Sequence, residues 1–232
     1  MKQENRELMI RQTEVPRRWE RLLLHGAAQR TLWIFAMAVC FATGCGTTHP
    51  IKYYQLTVPG DAAPATNANP VPVTLLIGRL TAPALYREDQ IVYDTGGESM
   101  GIYEYHRWSE PPPEMISEVM LRQFRASGHY RGVYTLQSDI RGDYLLHGRL
   151  YDFKEISAGS LVGRVTMELE LRNIKTGTTV WTHFYTHDEP ASGKDTSAVV
   201  AALNKGVQQG VAEFRTSLEE YFAANPPVQT AP

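Results

Sequence analysis

Two histidines near the end of the chain have the residue type and spacing that could bind a metal ion. His183 and His187 lie four apart in a segment rich in strand-forming residues, so both side chains point to one face, and Asp188 and Glu189 follow directly. Imidazole and carboxylate groups are zinc ligands, but no third ligand stands at a recognisable spacing and the H-E-x-x-H helix pattern is absent. These residues therefore indicate a solvated strand end, and no metal or other cofactor is expected.

A serine and a pair of carboxylates are the other candidates for catalysis. Ser160 follows Gly159, but the G-x-S-x-G elbow of a serine hydrolase is missing, so a hairpin turn is predicted. Glu168 and Glu170 alternate with apolar residues, which predicts a solvated row on one face of a strand. The sequence thus indicates a protein that is not an enzyme.

Cys45 is the residue whose chemistry its neighbours specify best. It closes the run Ala42-Thr43-Gly44-Cys45 directly behind the apolar stretch Thr31 to Phe41. The segment before that stretch is basic and contains Arg17, Arg18, Arg21 and Arg30. This order is that of an exported precursor, and an apolar core of roughly a dozen residues is shorter than the about 20 needed to span a bilayer. The run resembles a bacterial lipoprotein signal, which implies cleavage after residue 44 and attachment of lipid, palmitate included, to the Cys45 thiol.

Cysteine usage agrees with this interpretation. The only other cysteine, Cys40, lies in the apolar core and is lost with a signal peptide of residues 1–44, so no unmodified thiol remains in an oxidising compartment. The alternative is an ordinary signal anchor whose cysteines have no role. Gly46 follows the cysteine in place of the aspartate typical of inner-membrane retention, which favours the outer membrane.

The rest of the chain, about 190 residues, is long enough for one domain and short for two. A formal net charge of -2 shows no basic excess, so nucleic acid is not an expected partner. Residues 45–72 are predicted to hold the lipidated end, a first strand at Ile51 to Val58 and a linker at Pro59 to Pro72. Residues 73–224 are predicted to form the folded domain, and residues 225–232 a disordered tail.

Periodicity within the domain predicts strands and two long helices. Val165, Met167, Leu169 and Leu171 alternate with polar residues between Arg164 and Arg172, which predicts a strand with one buried face. Further strands are predicted at 73–80, 90–94, 100–105, 133–136, 144–153 and 179–186. One helix should start near Ser109 to Glu114, bury Ile116, Val119, Met120 and Phe124, and stop at Gly128. The other should follow Asp195, with Gly206 and Gly210 allowing close approach to the sheet. These elements predict an α+β fold, with two main helices on one face of a mostly antiparallel mixed sheet.

The order of several short motifs resembles the auxiliary lipoproteins of ABC-type transporters, over nearly all of the mature chain. The motifs are Tyr53 to Leu56, Ile77-Gly78, Ala82 to Arg87, Gln90 to Val92, Tyr105 to Pro111, Asp143 to Leu146 with Phe153, and Gly177 to Trp181. The most specific is the run through His106, Arg107 and Trp108 into Glu110 and Pro111.

The resemblance implies a lipid-anchored adaptor on the periplasmic face of the outer membrane. Its implied partners are an MCE-type (mammalian-cell-entry) substrate-binding protein, an ABC permease and an ATPase, which together move lipid between membranes. The partner-binding residues would be Tyr105, His106, Arg107, Trp108, Glu110 and Pro111, or a sheet edge, and a homo-oligomer would fit the family. Two alternatives stay open: that the aromatic residues of this corner only close the core, and that the lipoprotein activates or assembles another envelope machine such as a cell-wall synthase.

Overall fold

Eight strands and two long helices follow one another in the computed structural model, which describes residues 49–58, 67 and 69–227. Cys45 and the predicted signal peptide lie outside the described residues. The strands are β1 (Lys52–Tyr54), β2 (Val71–Thr81), β3 (Gln90–Asp94), β4 (Met100–Trp108), β5 (Tyr130–Thr135), β6 (Tyr144–Ile156), β7 (Val162–Asn173) and β8 (Thr179–Pro190). The helices are α1 (Pro112–Ala126) and α2 (Thr196–Ala224), and a 3-10 turn covers Ala84–Tyr86. No helix in the described ranges is long and apolar enough to cross a membrane.

All eight strands belong to one mixed sheet that branches at β6. One side of β6 is antiparallel to β7 along its whole length. Its other side is shared end to end by two parallel neighbours, since β2 pairs with its first half and β3 with its last residues. β8 is antiparallel to β7, β4 is antiparallel to β3, and β1 and β5 add in parallel to β4 and β2. The sheet is open, with β1, β5 and β8 as edge strands.

Both helices pack on the same face of this sheet, which confirms the predicted α+β fold. α1 contacts β2 and β5, α2 contacts β6, β7 and β8, and the two helices contact each other. The predicted alternation of β7 holds, because Val165, Met167, Leu169 and Leu171 are fully buried. The opposite face, called the helix-free face below, carries the polar row of β7, and neither long helix packs on it.

Local signals in the sequence placed the helix ends well. α1 starts with Pro112 in its first turn, where a missing N–H costs no hydrogen bond. It ends before Gly128, whose φ of 61° is the left-handed conformation that suits a helix stop. At the start of α2, the Asp195 carboxylate accepts a hydrogen bond from the Ala198 N–H over 2.9 Å.

The close approach predicted at the α2 glycines is also present. A Cβ added at Gly210 would lie 2.5 Å from Met167 Cε and 2.7 Å from the Tyr185 ring. At Gly206 the nearest atom would be Val165 Cγ2 at 3.0 Å. The absence of a Cβ at these two glycines therefore allows α2 to pack directly against β7 and β8.

The first strand is shorter than predicted. The prediction covered Ile51 to Val58, but β1 ends at Tyr54. Thr57 instead contacts α2. Its N–H donates to Asn204 Oδ1 over 2.9 Å, and its carbonyl accepts from Gln208 over 3.1 Å. The β propensity of this segment is overridden by hydrogen bonds to a helix that begins far later in the sequence.

Candidate functional site

The predicted Trp108 motif forms a corner where β4 passes into α1. Trp108 is only 1% exposed, and its ring lies 5.2 Å from that of Phe153 in the core. Its backbone N–H donates to the Asp89 carbonyl over 2.6 Å, and the next N–H, of Ser109, donates to the Tyr54 carbonyl over 2.7 Å. These bonds therefore connect three parts of the chain around one buried indole: β1, β4 and the residue that precedes β3.

The neighbours of Trp108 in the motif also have partners within the domain. Arg107 forms an ion pair with Asp89 at 2.9 Å. His106 Nδ1 lies 2.9 Å from the Tyr54 hydroxyl, and the two rings stack. Pro111 is the N-cap residue of α1. Tyr105, Ser109 and Glu110 are the exposed members of the motif.

A buried carboxylate continues this corner toward β6. Glu155 is only 4% exposed and accepts a hydrogen bond from the Tyr103 hydroxyl over 2.7 Å. Burial and this carboxylate raise the pKa of Tyr103 well above its usual range. The Tyr103 ring also meets the rings of Tyr93 and His106. The hydroxyl stays protonated and holds the carboxylate, so the pair is a structural contact with no free acid or base.

Charged residues on the helix-free face form a row across four strands. Lys154 of β6 bridges Asp94 of β3 and Asp152, each at 3.2 Å, and its side chain is only 13% exposed. Beside it, Arg164 of β7 makes two hydrogen bonds of 2.6 Å to Asp188 of β8. These bonds from Arg164 hold the pKa of the Asp188 carboxyl below its usual range. The row pairs opposite charges and fastens the two sides of the branched sheet.

Each histidine that the sequence offered as a metal ligand is hydrogen-bonded to a different glutamate. His183 Nε2 donates to Glu213 of α2 over 2.7 Å, and His187 Nε2 donates to Glu189 over 3.0 Å. Hydrogen bonds from Lys205 and then His187 lower the pKa of Glu189. In the part of the chain that the structure describes, no three His, Cys, Asp or Glu side chains are placed to hold a metal ion.

The residues that the sequence offered for hydrolysis, Ser160, Glu168 and Glu170, also have separate surroundings. Ser160 is exposed in the turn between β6 and β7, next to Gly159 with a φ of 100°, as the sequence predicted. Glu168 accepts a hydrogen bond from the Tyr151 hydroxyl over 2.9 Å, and Glu170 lies 4.0 Å from His147. Both glutamates lie in the polar row of β7, and neither is hydrogen-bonded to a serine among the described residues.

The longest edge strand is a feature that the motifs did not point to. β8 has twelve residues and pairs with β7 alone among the described strands. Phe184, 54% exposed, stands near its middle on the helix-free face, with its ring 6.1 Å from that of Tyr151. The Thr/Phe/Tyr/Trp content of β8 predicted a strand, but only the sheet topology shows that one side of it is unpaired. The fold and this edge define a class of protein: an α+β domain with two long helices on one face of an open sheet and a long edge strand that is unpaired on one side among the described strands.

Comparison with known proteins identifies the family. The chain belongs to the ABC-type transport auxiliary lipoprotein components, whose family model matches residues 54–214. A crystal structure of protein XCC0632 from Xanthomonas campestris, of family DUF330, is 21% identical with a TM-score of 0.65, covering 75% of this chain and 98% of that one. A second crystal structure, of an uncharacterized protein, is 16% identical with a TM-score of 0.58, covering 73% of this chain and 99% of that one. Both likenesses show the fold. No curated protein matches the chain.

Proposed function

We propose that the protein is a lipid-anchored periplasmic adaptor of an MCE-linked ABC transport system that moves lipid between the inner and outer membranes. Membership of the auxiliary lipoprotein family supports a role beside an ABC transporter. The Cys45 signal supports lipid attachment, and Gly46 supports the outer membrane. The adaptor binds its partners and carries out no chemistry on the cargo.

The observation that carries the docking role is the free edge of β8. Natural edge strands are usually protected by lysines, prolines, bulges or short length. Between Thr179 and Glu189, β8 has no lysine and no proline, and its pairing with β7 is regular from Pro190 to Trp181. An edge of this length can accept an extended strand of a partner through backbone hydrogen bonds. The exposed ring of Phe184 offers an apolar contact beside that edge.

The Trp108 corner has a different role in this proposal. Its indole is buried, and His106 and Arg107 are engaged within the domain, so these residues position β1 and β4 instead of contacting the partner. Glu110 remains exposed at the start of α1. The adaptor thus has its binding edge on β8 and its N-terminal strand at the opposite edge.

The test is cross-linking of the full-length protein in its native membranes, followed by purification and mass spectrometry of the partners. The variant Thr182→Lys/Phe184→Lys places two charges along β8 and should lose the partner. Leu136→Lys is the matched control, because it adds a lysine at an exposed apolar position outside β8 and should retain the partner. Cys45→Ala should release the protein from the membrane.

Three outcomes decide the proposal. Recovery of an MCE protein with its permease or ATPase, lost in the β8 variant only, supports it. Recovery of a cell-wall synthase component in place of a transporter overturns the transport role. Equal recovery with the β8 variant and the control overturns the docking edge.

A further inference from the structure

Exposed apolar side chains concentrate at the β1 edge of the sheet. Ten large hydrophobic residues are exposed in the described part of the chain, and five of them lie on or directly beside β1 and β4. We call these five the β1–β4 patch: Ile51 (48% exposed), Tyr53 (63%), Met100 (51%), Ile102 (43%) and Tyr105 (38%). Exposed apolar side chains concentrated at one edge of a sheet favour a protein or membrane contact there.

Strand geometry places four members of the patch on one face. Tyr54 and Tyr103 both meet the His106 ring and therefore lie on the same face of the sheet. Successive side chains of a strand alternate. Ile51 and Tyr53 therefore point to the face opposite Tyr54, and Met100 and Ile102 to the face opposite Tyr103, which is the face without helices.

The length of the chain before β1 indicates what covers this patch. Cys45 is seven residues before Lys52, so even a fully extended tether reaches at most about 25 Å. A domain of this size has a radius of gyration of about 16 Å, so the tether is shorter than the domain is wide. A bilayer holding lipids on Cys45 therefore lies within about 25 Å of the start of β1.

The direction of β1 shows which part of that surface is closest. β1 is parallel to β4, with Lys52 opposite His106. The chain before Lys52 therefore enters from the side where β4 begins, the side of Met100 and Ile102. β1 is held in place by its pairing with β4 and by the bonds of Thr57 to α2.

We propose that the β1–β4 patch rests on the membrane into which the Cys45 lipids insert, at the boundary between headgroups and acyl chains. Tyrosine suits this depth, because its ring is apolar and its hydroxyl is polar. Lys52 and Glu104 border the patch, which keeps the contact at headgroup level. The proposal rests on the proposed lipidation of Cys45, and it holds whatever machine the adaptor serves.

The proposed anchor and the proposed binding edge belong to opposite ends of the sheet. β1 and β8 are the two ends of the row β1-β4-β3-β6-β7-β8. Five strand spacings separate them, roughly 24 Å. The unpaired side of β8 is therefore at the other end of this row from β1, the strand that follows the proposed anchor, and a partner can reach it there.

Spin labels report which side chains touch the bilayer. The processed protein has no free thiol, because Cys40 is removed with the signal peptide and Cys45 is lipidated, so a single introduced cysteine carries the label. The labelled positions are Tyr53→Cys and Ile102→Cys in the patch, with Phe184→Cys and Leu136→Cys as controls of similar exposure. The full-length lipidated protein is reconstituted into vesicles of phosphatidylethanolamine and phosphatidylglycerol. Collision rates with oxygen, which enters the bilayer, and with a water-soluble nickel complex are then measured.

We expect an oxygen-to-nickel collision ratio several-fold higher at positions 53 and 102 than at 184 and 136. Equal ratios at all four positions would overturn membrane contact. Labels at 53 and 102 that are shielded from both probes would also overturn it, since they would show burial against protein. The intact mass of the purified protein separates the two proposals: an unmodified Cys45 defeats the lipid-anchored function itself, whereas a lipidated Cys45 with equal ratios defeats only the contact of the patch.

Discussion

Replacing Trp108 by alanine tests whether the most specific motif of the chain serves the core or a partner. Trp108 is 1% exposed and packs on Phe153. Large aromatic side chains bury about 150–250 Å², worth roughly 4–6 kcal/mol at about 25 cal/mol per Å² as an upper limit. Measured aromatic-to-alanine changes in cores cost about 3–5 kcal/mol. We therefore expect Trp108→Ala to lower the free energy of unfolding by about 3–5 kcal/mol, a large part of the about 5–15 kcal/mol typical of a domain.

Two further variants serve as controls. Trp108→Phe keeps an aromatic ring against Phe153 and leaves a smaller cavity, so it should cost only about 1–2 kcal/mol. Tyr105→Ala changes an exposed residue of the same motif and should stay within about 0.5 kcal/mol of wild type. The three free energies should therefore fall in the order of the buried volume removed.

Urea unfolding of the full-length protein in nonionic detergent, followed by far-ultraviolet circular dichroism, measures these differences. Circular dichroism is preferred because the substitution removes a tryptophan and alters the fluorescence. The reasoning would be refuted if Trp108→Ala unfolded at the wild-type urea concentration and yet lost its cross-linked partner. That result would show that the indole acts at a surface and not in the core.

Three other predictions follow from contacts inside the domain. Gly210→Ala should lower the thermal midpoint, because overpacking against the buried Tyr185 ring costs about 1–3 kcal/mol. The better helix propensity of alanine offsets only about 1 kcal/mol of this cost. A raised midpoint would contradict the close approach. Tyr130→Phe should keep or raise stability in urea unfolding by about 1 kcal/mol, because the buried hydroxyl has no hydrogen-bond partner among the described residues, and a clear loss would reveal one. The lowered pKa of Asp188 beside Arg164 means that this pairing stabilises the fold above about pH 3.9 and is lost as the pH falls further. The difference in thermal midpoint between wild type and Asp188→Asn should therefore shrink below about pH 4, and a constant difference would exclude this linkage.

Charge pairing on the helix-free face shows where sequence reasoning stops. The alternation of β7 predicted that Arg164, Glu168 and Glu170 would lie on one face, and they do. It did not predict that Arg164 would bind Asp188 or that Lys154 would bridge Asp94 and Asp152. Alternation sets the side of a strand on which a residue lies, whereas the partner depends on which strands become neighbours and in what register.

Sequence alone determined the features that depend on short stretches of chain. These are the α1 stripe, the turns at Gly128 and Gly177, and the buried row of β7, each encoded within one signal or one period, whereas the lipoprotein signal ending at Cys45 stays a prediction. The family motif around Trp108 was also visible, but its burial was not, because exposure is decided by residues such as Phe153 that come much later in the chain.

Only the tertiary structure decided the branching at β6, the unpaired side of β8 among the described strands and the pairing of β1, which holds Tyr53, with β4, which holds Met100 and Ile102. The branching and the β1–β4 pairing depend on strands separated by about 50 residues or more pairing in one register, and local propensity carries no information on that choice. The sequence therefore specified an α+β domain behind a predicted lipoprotein signal, and the pairing of its strands placed β1 at one edge of the sheet and left β8 unpaired on one side among the described strands.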